Sequence, residues 1–220
     1  MLSGSYHYSL NGKPTEVRET WSLEGDLLGE CRITSTRAAP GIDITVAALV
    51  SHGAVQNFSV QWCTGSVENI SAYYELRDDR PIVTRRGMGD TEEEEIEVAV
   101  ETLQQTPLLF PLMRIFTGPL IARLLAREGG GTIVLPDIND PADKLILLKP
   151  LVSERSARLV GEELIASPDG EEQLCRRCEY SGGQYTDDSH FWLAADNLLE
   201  RYQWQQSPEL FWDVRLQRAT

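Results

Sequence analysis

Between Thr106 and Arg127 the chain reads TPLLFPLMRIFTGPLIARLLAR, with eleven large apolar side chains from Leu108 to Leu125. The segments on either side are patterned as strands. An insert this apolar must be covered by the surrounding sheet, or must itself cover something, because leaving it in water forfeits its transfer free energy. Its spacing predicts two short helices within a helical insert over 103–128. Thr106 caps the first, with Pro107 at the first helical position, where its missing N–H costs nothing. Pro111 makes that helix begin awkwardly. Pro119 opens the second, which ends at Glu128 and the Gly129-Gly130-Gly131 hinge. A membrane span is excluded. Arg114 and Arg123 fall inside the run, and Thr117-Gly118-Pro119 divides it into pieces too short to cross hydrocarbon.

Strand signals fill the rest. Asn11-Gly12 tolerates the positive φ of a tight turn, and Val17, Glu19, Trp21 and Leu23 alternate with polar neighbours beyond it. Further strands are expected at 42–50, 54–62, 67–76 and 81–86, punctuated by His52-Gly53, Thr64-Gly65 and Asp78-Asp79. After the insert come TIVLP (132–136), RSARLVGEELIA, EEQLCRRCEY, DSHFWLAA, LLERYQWQQ and ELFWDVRLQ. Short strands at about ten-residue spacing predict an antiparallel roll or open barrel, not βαβ units. An acidic linker at 88–97 precedes the insert. The chain of 220 residues suits a single β-roll domain over 1–220.

The formal charge of −14 excludes a nucleic-acid footprint, which needs a basic stripe, and mainly favours solubility. The first residues, MLSGSYHYSLNGKP, carry no basic region followed by an apolar one, so a cytoplasmic location and reduced thiols are expected.

Motifs that carry chemistry are weak. Cys175-Arg-Arg-Cys178 lacks a second half-site and lies in a strand, where residues three apart face opposite ways, so structural thiols are expected and no metal. Asp137 to Asp143 begins like a calcium loop but has Pro141, Ala142 and Leu148 where the pattern needs ligands, glycine and a closing glutamate. Turn chemistry accounts for its acids better. Ser189, His190, Asp187 and Asp188 offer triad residue types without a nucleophile elbow, and no catalytic residue is expected. The Glu92–Glu95 run reads as an exposed loop. Aromatics gather on strands, and alternation puts Trp192 on one face with Tyr202 and Trp204 of the next strand. Filling a core explains them; lining an apolar cavity is the sharper alternative.

Three stretches carry a resemblance: EIEVAVETLQQTPLLFPLMRIF, VENISAYYELRDDRPI and CEYSGGQYTDDSHFWLAADNLLERYQW. Together they cover about half of the chain. They resemble the spiral β-roll proteins labelled glycolipid-binding and, more distantly, the lipoprotein-carrier rolls. The resemblance implies a curved antiparallel sheet, a helix against its concave face, and binding of an amphipathic molecule.

The expectation is a non-enzymatic roll that binds a lipid, glycolipid or isoprenoid without a cofactor. Its ligand-contacting residues would be Leu108, Leu109, Phe110, Leu112, Arg114, Phe116, Trp62, Trp192 and Trp204, with Leu108–Phe116 as plug or lid. Arg114 and Arg123 either pair with a head group or keep the insert soluble. The alternatives are an interaction or homodimer module using 106–127 as an exposed patch, and a hydrolase using scattered acids and His190.

Overall fold

The computed structural model describes residues 1–65, 68–87, 93–98, 105–166, 170–183, 185 and 189–219. Fifteen strands join in one sheet among them. β1 (Leu2–Leu10), β2 (Lys13–Gly25), β3 (Glu30–Ala39), β4 (Ile42–Ser51), β5 (Ala54–Thr64), β6 (Glu68–Arg77), β7 (Arg80–Arg86) and β8 (Glu94–Glu97) precede the insert. β9 (Leu108–Leu109), β10 (Gly130–Pro136), β11 (Pro150–Ala166), β12 (Glu172–Ser181), β13 (Ser189–Leu193), β14 (Leu199–Ser207) and β15 (Leu210–Arg218) complete it. The spatial order is β8-β7-β6-β5-β4-β3-β2-β1-β15-β14-β13-β12-β11-β10-β9. Neighbours are antiparallel except β9 and β10.

The turn dipeptides act as their chemistry dictates. Asn11-Gly12, His52-Gly53 and Asp78-Asp79 all take positive φ, the two-residue geometry that matches strand twist. Alternate residues of each strand then share one buried face: Tyr6 and Tyr8, Trp21 and Leu23, Ile44 and Val46, Phe58 and Val60, and Tyr202 and Trp204. Phe58 and Tyr74, paired in register, stack at 4.5 Å.

This topology dictates where the insert goes. β8 lies at one edge of the sheet and β9 at the other, and the described residues of the insert between Leu108 and Leu125 pack into the core on the sheet's buried face. The insert is less helical than its spacing suggests. Only Thr117–Leu125 forms an α-helix (α1), preceded by a 3-10 turn at Arg114–Phe116. Leu108 and Leu109 form β9, and Phe110 N–H donates to Val134 O at 2.9 Å. Pro107 and Pro111 account for the difference. Pro111 has no N–H for the helical bond to residue 107, and it pushes Phe110 toward extended backbone. Gly130 and Gly131 belong to β10 and are not a hinge; residues 103 and 104 of the expected insert lie outside the described residues.

A further expectation changes. Of the expected acidic linker, 94–97 is the edge strand β8, and 88–92 lie outside the described residues. Glu93, Glu94, Glu95 and Glu97 each meet a cation: Arg86 at 2.7 Å, Lys149 at 3.4 Å, Arg77 at 3.8 Å and Arg80 at 3.0 Å. A short charged edge is a common protection against strand addition. The segment after Asp137 forms turns, as its chemistry predicts. Asp137, Asp140 and Asp143 accept from the backbone N–H two residues on, at 2.9, 3.0 and 2.9 Å. Leu147 and Leu148 beyond them are buried, with their carbonyls held by Arg85 at 2.9 Å and by the Tyr74 hydroxyl at 2.8 Å.

Among the described residues no helix is long and apolar enough to cross a membrane.

Candidate functional site

Eight of the nine residues expected to contact a ligand come together. Leu108, Leu109, Phe110, Leu112, Phe116, Trp62 and Trp204 belong to one buried cluster, and Arg114 lies over the ring of Tyr202 at 4.8 Å. Trp192 does not join them. In register Phe191 faces Tyr202 and Trp192 faces Arg201, so Trp192 is on the outer face. There its ring is flanked by Arg201 at 5.3 Å and Arg177 at 5.9 Å, and its Nε1 donates to Glu163 at 2.9 Å.

The insert is pinned as a plug. Ten of its large apolar side chains, Leu108 through Leu124, are buried. At roughly 1.5–3 kcal/mol each, exposing them costs on the order of 15 kcal/mol or more, as much as the whole stability of a typical domain. That magnitude decides against a lid. It also overturns the interface reading, because 106–127 is not an exposed patch.

A carboxylate fixes the plug. Glu19 is fully buried on β2. Its Oε1 accepts from Arg114 N–H at 2.6 Å and Ile115 N–H at 3.4 Å, capping the 3-10 turn from outside the segment. Its Oε2 accepts from the Tyr8 hydroxyl at 2.9 Å and from Arg37 Nη2 at 2.8 Å. Arg37 Nη2 also donates to Leu112 O at 2.7 Å, holding Leu112 at φ 68, a conformation a leucine adopts only under constraint. Burial raises the Tyr8 phenol to about 12, so it stays a neutral donor.

Beside the plug lies a cluster of aromatics and arginines. The Tyr185 ring is 5.5 Å from Tyr180, 5.7 Å from Phe191, 6.0 Å from Tyr202 and 5.1 Å from Trp204. Arg114 Nη1 donates to the Tyr185 hydroxyl at 2.8 Å. Arg155 of β11 stands 5.8 Å from the Tyr180 ring. Several buried polar atoms here have no hydrogen-bond partner among the described residues: Arg114 Nε, Arg155 Nε and Nη1, Ser189 Oγ and Trp204 Nε1. Burial holds the Tyr180 and Tyr202 phenols far above the ordinary tyrosine range, so neither supplies negative charge. Arg114, Arg123, Arg127 and Arg155 form no ion pair among the described residues. Arg155 was not among the expected site residues. Its signal is parity: alternation through Arg155 and Ala157 puts a cation on the buried face.

The other motifs stay apart. Cys178 is in the core, while Cys175 faces the opposite side of the sheet and pairs in register with Glu163. Burial raises Cys31, Cys175 and Cys178 each to about 11. The thiolate is the reactive form, so a thiol reagent at pH 8 is expected to modify half-buried Cys63 first in the native protein. Rapid loss of all four thiols without denaturant, followed by mass spectrometry, would contradict this. Ser189 faces inward and is fully buried, whereas His190 faces outward, 6.2 Å from the Trp192 ring. Asp187 and Asp188 lie outside the described residues. No group of three or more His, Cys, Asp or Glu among the described residues could hold a metal.

Open grooves lie on other parts of the surface. One of about 630 Å³ runs over Ser3, Ser5, His7, Arg18, Thr20 and Gln217. Another of about 400 Å³ runs over Ser59, Gln61, Ser71, Tyr73 and Arg86. Neither is lined by the insert.

No protein-family model matches the chain, and neither does any curated protein. Among solved structures it is similar to a β-barrel-like protein of a domain of unknown function, DUF1849, from Brucella abortus. The TM-score is 0.54 at 9% identity, over 98% of this chain and 95% of that one. The fold is therefore β-barrel-like. A likeness at this identity speaks for the fold alone.

Proposed function

We propose that this protein binds an amphipathic small molecule of the lipid, glycolipid or isoprenoid class without transforming it. The polar end of the guest meets the arginine–aromatic cluster, and its apolar part runs along Leu112, Phe116 and Trp204. One observation carries the reading: buried donors of Arg114, Arg155, Ser189 and Trp204 lie on one side of the plug with no acceptor among the described residues. Each buried unsatisfied donor costs about 1–3 kcal/mol, and a well-packed interior rarely leaves several together. A guest bearing acceptors removes that cost, and the rings supply the mainly apolar lining such sites have. The plug stays in place, so the guest lies beside it. Trp192, on the outer face, is not part of this reading.

Native mass spectrometry of purified protein is the direct test. A co-purified amphiphile, lost on extraction and restored by adding it back with a change in tryptophan emission, is the expected result. The emission change should shrink in Trp204→Phe and persist in Trp192→Phe. A protein that carries no guest and takes up no amphiphile from solution would sink the reading.

A further inference from the structure

We infer that the end of the guest held at this site is an oxyanion, a carboxylate or phosphate attached to an alkyl chain, and that Arg155 is its principal clamp. The inference rests on the binding reading above.

Arg155 is only 9% exposed. Its Nε and Nη1 are buried without a partner among the described residues. The guanidinium is boxed by small residues. On one side it packs over Gly182 and Gly183, and a methyl at Gly182 would lie 2.9 Å from Arg155 Cδ. A methyl at Gly183 would overlap the guanidinium itself. On the other side its register partner on β10 is Gly131. Partners in an antiparallel pair share a face. Gly183 is exposed, so the guanidinium lies one residue's thickness below the surface. An acid can reach it past the glycines while the plug stays in place.

Among the described residues the charges beside the aromatic cluster are of one sign: Arg155 stands over the Tyr180 ring and Arg114 over the Tyr202 ring. Glu19 is committed to Arg37, and Tyr180 and Tyr202 remain neutral. Although the net charge is −14, no acid forms an ion pair with Arg155 or Arg114 among the described residues. The last turn of α1 accounts for Arg123 and Arg127 as ordinary basic residues near a helix C-terminus. It does not account for Arg155, which is on a strand. Its Nε–H and Nη1–H, without an acceptor among the described residues, lie on different edges of the guanidinium, and each can give an oxyanion a charge-assisted hydrogen bond.

Calorimetric titration of the full chain with dodecanoate, dodecyl phosphate, dodecanol and inorganic phosphate tests this, each alkyl compound below its micelle concentration. Both acids should bind at least roughly tenfold more tightly than dodecanol, the gain expected of a charge-assisted hydrogen bond. The tighter of the two names the head group. Arg155→Gln should bring both acids down to the alcohol, and Arg155→Lys should restore part of the difference; circular dichroism and melting check that each variant folds. The comparison of acid with alcohol needs no variant, so a misfolded Arg155→Gln leaves the test intact. Equal affinity for acid and alcohol overturns the clamp but leaves the amphiphile reading standing. Acid preference that survives in a folded Arg155→Gln also overturns it. Binding of none of the three alkyl compounds overturns the amphiphile reading and this inference with it. Binding of inorganic phosphate alone shows a free-anion site and overturns the inference as stated.

Discussion

Replacing Glu19 with glutamine is expected to lower the unfolding free energy by about 3–5 kcal/mol, the usual cost of removing one partner from a buried ion pair. The carboxylate is fully buried and serves four donors at once: two backbone N–H groups of the insert, the Tyr8 hydroxyl and Arg37. Glutamine has the right shape and keeps one acceptor. Its NH2 then faces donors on Tyr8 and Arg37, and Arg37 is left with an uncompensated charge. A chain of this size loses roughly 2–4 °C of melting temperature per kcal/mol, so a fall of about 6–20 °C is expected. Urea unfolding should show a lower midpoint with an unchanged slope, because the variant exposes the same surface on unfolding as the parent. Removing the stranded charge as well, in Glu19→Gln with Arg37→Met, should recover part of the loss through the coupling a double-mutant cycle measures. A loss under about 1 kcal/mol would mean the carboxylate is not what holds the insert. Hydrogen exchange adds a second reading. If 108–125 loosens while the global midpoint stays fixed, the insert is a separate lid, and the plug argument fails.

The same residue marks how far the sequence carried. Glu19 was legible as a position, since Val17, Glu19, Trp21 and Leu23 share a parity, yet one charged residue on an apolar face does not name its partners. They are 18 residues away, facing Glu19 in register on β3, and 95 away in the insert, a separation that the fold supplies and the local pattern does not. The strands were readable because alternation and turn dipeptides are local, and local geometry follows from them. The insert was readable as apolar, but not in shape. Apolar spacing suited a helix, whereas Pro107 and Pro111 and a free edge at β10 made Leu108-Leu109 a strand. Trp192 was misassigned for a related reason. A slip of one residue moves a side chain to the other face, and the register of β13 against β14 is set by the turn at Ala195-Asp196 and by an irregularity at Trp192/Leu193. Neither is visible in the spacing of aromatics. Arg155 belongs to the same class: parity with Ala157 carries its side of the strand, but only the fold shows that no acid pairs with it among the described residues.

Gly118→Ala separates local preference from packing because the two give opposite signs. Glycine within a helix costs about 0.5–1 kcal/mol relative to alanine. Propensity alone therefore predicts a more stable protein. Packing predicts the reverse. A methyl at Gly118 would overlap the carbonyl oxygen of Asn197 and lie 2.9 Å from Leu199 N. Both are backbone atoms, one in the β13–β14 connection and one at the start of β14, so no side chain can rotate out of the way. That connection is itself tied, with Asn197 N–H donating to Ala194 O at 3.0 Å and Ala194 N–H to Leu198 O at 2.9 Å. Asn197 already stands at φ 67. The helix must therefore back away from the sheet, disturbing Leu120, Ile121 and Leu124, which are buried along with Gly118. Overpacking of this kind costs about 1–3 kcal/mol and occasionally more. The net expectation is a loss near 2 kcal/mol, read as a melting temperature lower by about 4–8 °C. Gly161→Ala is the matched control, since a methyl there meets nothing within 4 Å and should change stability by under about 0.5 kcal/mol. A Gly118→Ala protein that melts at or above the parent temperature would show that α1 is free to shift against the sheet. The helix would then not be the rigid wall against which the arginine–aromatic cluster is built.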